Sequence, residues 1–297
     1  MEGNDGIIIE KMTLDDLRTA LEWTRLDGWN PGKRDAEAFF AADRKGFFMA
    51  KTAGGDPVAS IAAVSYGEHY GYLGLQICEP KHRGKGYGTS IFEYAMRHLG
   101  ERTTIGGELV AARRSNAAKW GFTVTHETIG FSGVIDLDAL PMASVPTSET
   151  GRRVVLENLT KHRLGAIFKF DEKHVPAARE RFLRAWLTTP GHVVRVTIIE
   201  EEIKGYGVLR PCYDGSKIGP VFAESVEVAD LLMRSLAAGT SRGTKVSLEI
   251  PEPNQASMEL VRRLGLIQTW KTFRMYRGPA PKLPLERIFA VTCLQLG

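Results

Sequence analysis

The chain is 297 residues long, 43 % hydrophobic and 25 % charged, the balance of a soluble globular protein with room for two domains. No run of 18 apolar residues occurs, the opening MEGNDGIIIEKM has no long apolar core, and Cys78, Cys212 and Cys293 form no CxxC pair; a membrane span, a secretion signal, a disulfide framework and a zinc site are not expected, and a reducing cytoplasm is. The net charge of +4 divides unevenly: residues 1–148 hold 16 Lys+Arg against 19 Asp+Glu, and residues 149–297 hold 23 against 16. The basic half favours anionic ligands, but no aromatics interleave a basic stripe, so nucleic acid is disfavoured as a partner.

In chain order, Ile7–Ile9 reads as a strand and Thr13 as the N-cap of a helix over Leu14–Trp23. Strand-like segments follow at Gly46–Lys51, Val58–Tyr66 and Tyr72–Cys78. Residues 89–99 (TSIFEYAMRHL) place Ile91, Phe92, Ala95, Met96 and Leu99 on one helical face. Asp136–Arg153, with two prolines and little apolar periodicity, reads as an interdomain linker. The second half repeats the grammar: a strand at Val154–Leu159, helical material through Trp186, strands at His192–Glu200 and Ile203–Arg210, a helix at Val226–Ala238 and a closing strand at Arg287–Leu296. Gly121-Phe122 and Gly265-Leu266 each precede an alternating segment that ends in glycine, which hints at an internal repeat.

The most informative stretch is KHRGKGYGTS, residues 81–90, between a strand and an amphipathic helix. A helix start exposes unpartnered N–H groups and the positive end of its dipole, so a glycine-rich turn there suits an anion. Gly84, Gly86 and Gly88 permit close backbone approach, and Arg83 and Lys85 add charge. Neither the Walker spacing nor GxGxxG with its later acid is present, which leaves Arg-x-x-Gly-x-Gly at Arg83, Gly86 and Gly88.

With that loop, Pro80 before it and a helix ending Lys119-Trp120-Gly121-Phe122 after it, the chain resembles the GNAT superfamily of acyl-CoA-dependent N-acyltransferases. DGWNPGKRDAEAFFAAD (27–43), RPCYDGSKIGPVFAES (210–225), PEPNQASMELVRRLGL (252–266) and ERIFAVTCLQLG extend the likeness to a tandem subgroup with a divergent second GNAT-like domain. The resemblance implies an α+β fold of two GNAT-like α/β domains in tandem, each a mixed twisted sheet flanked by helices: residues 1–140 catalytic, residues 152–297 not competent for coenzyme A. In the second half the segment equivalent to the anion loop is Ile218–Ser225, where Pro220 removes a donor and Glu224 repels phosphate.

The activity implied is direct acetyl transfer from acetyl-CoA to a primary amine of a small molecule or peptide, with no metal; the alternative is a coenzyme-A-binding regulatory or structural protein without catalysis. A homodimer is compatible with the sequence and a membrane partner is not. The resemblance places Ile77, Cys78, Arg83, Gly84, Lys85, Gly86, Tyr87, Gly88, Thr89 and Asn116 against coenzyme A, and the backbone N–H near Cys78 opposite the thioester oxygen. The position where many members carry a leaving-group tyrosine is Ala117, and Arg113 and Arg114 stand where close relatives look to carry amides. Glu79, beside the thioester strand, and Glu108, at the start of the next helical run, are the candidate general bases; His69 and Tyr72 are weaker ones. Trp29, Asn30 and Asp35 suit recognition of an ammonium, and Arg181, Arg210 and Lys217 suit either an interdomain acceptor cleft or structural ion pairs.

Overall fold

The computed structural model describes residues 6–111, 114–141, 147, 151 and 153–297; half of the expected linker lies outside them. The first half runs β1 (Ile7–Lys11), α1 (Leu14–Leu26), α2 (Asp35–Ala42), β2 (Phe47–Thr52), β3 (Pro57–Tyr66), β4 (Tyr70–Cys78), α3 (Tyr87–Leu99), β5 (Thr104–Leu109), α4 (Arg114–Lys119) and β6 (Phe122–Val134). Thr13 caps α1 in a reciprocal box. Its hydroxyl accepts from the Asp16 amide at 3.1 Å, and the Asp16 carboxylate accepts from the Thr13 amide at 2.9 Å.

The second half runs β7 (Val155–Asn158), α5 (Leu164–Asp171), α6 (Glu180–Thr188), β8 (Val193–Ile199), β9 (Glu202–Pro211), β10 (Ser216–Ala223), α7 (Val226–Ala237), β11 (Lys245–Pro251), α8 (Gln255–Arg263), β12 (Ile267–Arg277) and β13 (Ile288–Ala290). The helical stretch before Trp186 is thus two helices. Ile218–Ser225 is not a loop: β10 runs to Ala223 and Ser225 caps α7 directly. The closing strand is also shorter than expected, because after Ala290 the chain leaves β10 and crosses to the first half. There the Tyr72 hydroxyl donates to the Leu294 carbonyl at 3.0 Å and the Tyr66 hydroxyl to that of Leu296 at 2.9 Å. Gly74 permits this crossing, since a methyl on it would overlap the Gln295 carbonyl.

The α+β architecture of two tandem units holds, but their sheets are fused. Strand order is β1-β2-β3-β4-β5-β12-β6-β11-β10-β9-β8-β7, with β13 beside β10. β12 enters the first unit between β5 and β6, while β6 pairs with β11 of the second. β6 and β12 therefore each lie between two strands of the other half. Gly121 and Gly265, both at positive φ, end the helices that lead into these two exchanged strands.

The helices α1 and α2 pack on one face of the first unit against α5 and α6 of the second, around Phe39, Phe182 and Trp186, all fully buried. Phe39 and Trp186 lie nearly parallel with centroids 6.1 Å apart. The opposite face is covered by α3, whose Ile91, Ala95 and Leu99 meet Phe48, Ile61 and Leu73. Because β12 pairs with both β5 and β6, and β11 with the other side of β6, residues 1–140 alone would leave one edge of β5 and both edges of β6 open. The full chain is expected to unfold in urea as one transition by fluorescence and circular dichroism, and the isolated half to aggregate; a monomeric, cooperatively folded half would refute this.

Candidate active site

β4 and β5 run parallel only from Tyr70 opposite Thr104 to Leu73 opposite Gly107, and then part. The cause lies in β4. Leu75 adopts φ +47, a left-handed conformation uncommon for a branched residue, and the β3–β4 register shifts there. Ser60 fixes the bulge by donating its hydroxyl to the Leu75 carbonyl at 2.9 Å. Past it, no pairing with β5 continues along Leu75–Cys78.

The glycine loop follows that stretch. Gly84 and Gly86 have φ of +81 and +86, and Gly86 is the residue before α3. Gly88 lets α3 lie close to β4, where an added methyl would stand 3.3 Å from Cys78 Sγ. Gln76 joins the two elements by donating to the Gly88 carbonyl at 2.8 Å. The arrangement fits the pyrophosphate of an acyl-CoA through main-chain amides and the helix dipole. Arg83 contributes less free charge than its sequence position suggests. Its guanidinium holds both Asp27 oxygens at 2.7 Å and donates to the Cys78 carbonyl at 3.1 Å, tying the loop to the end of α1. Lys85 reaches His82 at 3.4 Å, and His82 lies 3.4 Å from Glu79.

Several residues that the sequence marks as candidates sit elsewhere than expected. Glu108 does not begin a helix; it lies within β5. Its carboxylate, 3 % exposed, accepts from Arg274 Nε at 2.8 Å, Thr128 at 2.9 Å and Thr272 at 2.6 Å. Both oxygens are engaged, so taking a proton would first require breaking this cluster. Asp35 and Arg210, expected to meet an acceptor, instead meet each other across the two units at 3.3 Å. Asp35 also accepts from the Gly32 amide at 2.8 Å, and Arg210 lies over the Trp186 ring, 4.7 Å from its centroid. Asn30 is a clamp as well: it donates to the Asp214 carbonyl and accepts from the Asp214 amide. Lys217 pairs with buried Glu249 at 2.7 Å, and Arg181 is exposed. Glu79 lies at the end of β4, ion-paired with Lys81 at 3.1 Å, and its other oxygen, 3.4 Å from His82, has no hydrogen-bond donor among the described residues. Trp29 is half-buried at the end of α1. Arg113 and the side chains of Arg114 and Asn116 lie outside the described residues.

Two matches with known families fall on this geometry. Residues 14–123 match the acetyltransferase (GNAT) family and residues 167–290 an acetyltransferase (GNAT) domain. The chain belongs to the GNAT family, twice over. Holothin acyltransferase of Pseudoalteromonas sp. (strain SANK 73390) is 29 % identical over 285 residues, 96 % of this chain and 92 % of that one. A crystal structure from Pyrococcus horikoshii, assigned as an acetyltransferase, superposes with TM-score 0.80 at 21 % identity over 100 % of this chain and 98 % of its own. A tandem GNAT protein from the clavulanic acid biosynthesis pathway gives 0.61 at 14 % identity, covering 93 % of this chain and 100 % of its own. The protein is an acyltransferase of two GNAT units, and the open strand pair with its glycine loop lies in the first.

Asp27, Arg274 and His174 were not singled out from sequence. An acid at a helix end is common, and nothing local tells that Arg274 will enter another unit's sheet beside Glu108. Burial, and then the Arg274 charge, hold the His126 imidazole down at about 4; burial and then Arg210 do the same to His192, also at about 4. Unfolded histidines titrate near ~6.5, so below that pH the unfolded chain binds more protons and stability falls as pH drops toward 4. Each contributes about 3 kcal/mol across that window, and His192→Gln is expected to give a shallower decline in urea-derived stability between these pH values; an unchanged slope would exclude the assignment. Glu108→Gln leaves Arg274 buried without its counter-ion and is expected to cost ~3–5 kcal/mol in urea denaturation, with much of the loss recovered by the Glu108→Leu, Arg274→Met pair.

Proposed function

We propose that the first GNAT unit, residues 1–140, transfers an acetyl group from acetyl-CoA directly to a primary amine, and that residues 152–297 do not bind coenzyme A. The observation that carries this reading is the parting of β4 and β5 at Leu75 beside the positive-φ glycines at the start of α3. The relative named holothin acyltransferase supports the reaction class. In the second unit β10 passes through Ser225 into α7, and Glu224 pairs with Lys204 at 3.3 Å, which offers phosphate no cradle.

The amides of Gly84, Lys85, Gly86, Tyr87, Gly88 and Thr89 would hold the pyrophosphate, with Arg83 bracing the loop through Asp27. Ile77 and Cys78 would flank the pantetheine, and the Cys78 backbone N–H would meet the thioester oxygen as charge develops there. No acyl-enzyme is needed: the amine lone pair attacks the carbonyl carbon, the C–S bond breaks, and the amine proton leaves through water. Glu79 is the carboxylate placed to receive it; Glu108 serves to hold Arg274. Asn116 remains a candidate for the coenzyme A wall. Trp29 would border the acceptor, whereas Asn30, Asp35 and Arg210 act by fixing the two units together.

Ala117, half-buried against the α3 core, leaves the usual tyrosine position without a hydroxyl. General acid assistance is worth ~10²–10⁴-fold, less than the ~10⁵–10⁸ M effective molarity of positioning, and a thiolate leaves without protonation. Turnover therefore survives. Gly86→Glu fills the cradle and sets a like charge against the phosphates, and it is expected to weaken acetyl-CoA binding in calorimetry by more than ~100-fold, far beyond the roughly 1–2 kcal/mol of stability that a non-glycine residue loses at φ +86. Retained affinity would sink the site; tight binding without thiol release from any amine would favour a non-catalytic coenzyme A binder.

A further inference from the structure

The second unit parts a strand pair as the first does. β10 and β11 run parallel only at Ser216 opposite Val246 and Lys217 opposite Ser247, and then separate into a fork. The β9–β10 register shifts just beyond, between Ile218 and Val221, as the β3–β4 register does at the Leu75 bulge. This second fork is filled by the chain itself. β13 pairs antiparallel with β10 at Val221 opposite Ala290 and Phe222 opposite Ile288, and the Val291 amide donates to the Glu249 carbonyl of β11 at 2.9 Å. Gly219 makes room for it, since a methyl there would overlap the Val291 carbonyl oxygen and stand 2.8 Å from that of Thr292.

From that root, residues 291–297 cross to the first unit under restraint along their length. Arg179, paired with Asp171, donates to the Thr292 hydroxyl at 2.7 Å and to the Gly297 carbonyl at 2.7 Å, so it grips both ends. Arg210 donates to the Thr292 carbonyl at 3.3 Å. Cys293 and Leu296 are buried in the core that also holds Tyr72 and the inner faces of α1 and α2. The Tyr72 and Tyr66 hydroxyls hold the Leu294 and Leu296 carbonyls, and the Gln295 carbonyl lies against Gly74. Gly74 is the first β4 residue beyond the last β5 pair, Leu73 with Gly107, and it immediately precedes Leu75.

That contact falls where the fork of the first unit needs support. Leu75 holds φ +47, and a branched residue stays in that region only when its surroundings over-determine it. On the β3 side Ser60 holds the Leu75 carbonyl; on the β5 side pairing has ended. Gln295 on Gly74 and Leu294 on Tyr72 add restraint from the face of α1 and α2. The amides beyond the bulge, as far as Cys78, are those set against the thioester oxygen, and a misplacement of about 1 Å costs such a site ~10²-fold in rate.

We propose that residues 291–297 are a positioning element for acyl transfer in the first unit: the filled fork of the second unit anchors their root, and their far end fixes the Leu75 bulge and the amides beyond it. The inference rests on the acyl-transfer reading above. No residue of the segment needs to touch the reacting atoms. The second unit thereby takes part in the reaction without coenzyme A of its own.

The test uses the full chain and acetyl-CoA carrying an isotopic label at its carbonyl, and it needs no knowledge of the acceptor. Infrared difference spectra read the thioester stretch, which hydrogen bonding to the oxygen lowers, and calorimetry reads affinity. Thr292→Val removes the hydroxyl that Arg179 grips, Thr292→Ser keeps it, and Tyr66→Phe releases the Leu296 carbonyl. Thr292→Val and Tyr66→Phe are expected to return the bound stretch toward its free value and to slow thiol release to hydroxylamine by at least ~10-fold. Acetyl-CoA affinity is expected to stay within ~3-fold, since the glycine loop is untouched, and Thr292→Ser to match the unaltered protein. Met233→Ala, a truncation in the core under α7, is expected to lower the melting temperature at least as far and to move neither reading. An unshifted stretch or full thiol release in either Thr292→Val or Tyr66→Phe overturns the proposal. An equal loss in Met233→Ala or in Thr292→Ser does so as well. If the unaltered protein does not bind acetyl-CoA, or binds it without lowering the thioester stretch, the acyl-transfer reading itself fails and takes this inference with it.

Discussion

The insertion of β12 between β5 and β6 is the constraint on which the rest of this molecule depends. It pairs antiparallel with both strands, from Phe273 opposite Leu109 to Arg277 opposite Ile105 on one side, and from Ile267 to Arg277 along β6 on the other. Without it β5 would have no neighbour on the side away from β4, and the separation of β4 from β5 would leave a strand held by four residue pairs alone. A site made by parting two strands needs one of them anchored from behind. Here the anchor comes from the other half of the chain.

That exchange also brings Arg274 to Glu108. A guanidinium and a carboxylate, both nearly inaccessible, are tolerable only because Thr128 and Thr272 complete the carboxylate's hydrogen bonds. The cluster bridges β5, β6 and β12, and Arg274 lies over the Tyr72 ring at 5.3 Å, so β4 is included through its aromatic side chain. Polar pairs repeat this theme wherever the halves meet. Asp35 with Arg210, Asn30 with Asp214 and Arg179 with the crossing tail each link segments far apart in sequence. Such pairs add little net stability compared with apolar packing, but they penalise any misaligned docking of α1 and α2 on α5 and α6.

The second unit has structural roles apart from any cradle of its own. It supplies β12, the Trp186 platform beneath Arg210, and the α5–α6 connection that lines a small interdomain recess. These roles do not depend on a glycine loop in the second unit, since Ser225 caps α7 there. The closing segment beyond β13 was legible as apolar, yet not as a crossing: Leu294 and Leu296 look like strand residues until Gly74 leaves room for them across the molecule.

Local chemistry, readable residue by residue, determined the elements and the loop. Thr13 followed by Asp16 caps a helix wherever it occurs, and Gly84 and Gly86 permit left-handed turns that other residues resist. The paired Gly121-Phe122 and Gly265-Leu266 endings hinted at two related units from sequence. What only the tertiary structure decided was partnership. The fate of Glu108, Asp35 and Arg210 depended on which distant strand or helix came to lie beside each, and an ionisable side chain carries no local mark of whether it will face solvent, a substrate or a buried counter-charge. The physical reason is range: turns and caps are satisfied within a helical turn of the chain, whereas burial and ion pairing are set by segments from the other half of the sequence, as with Asp35 and Arg210.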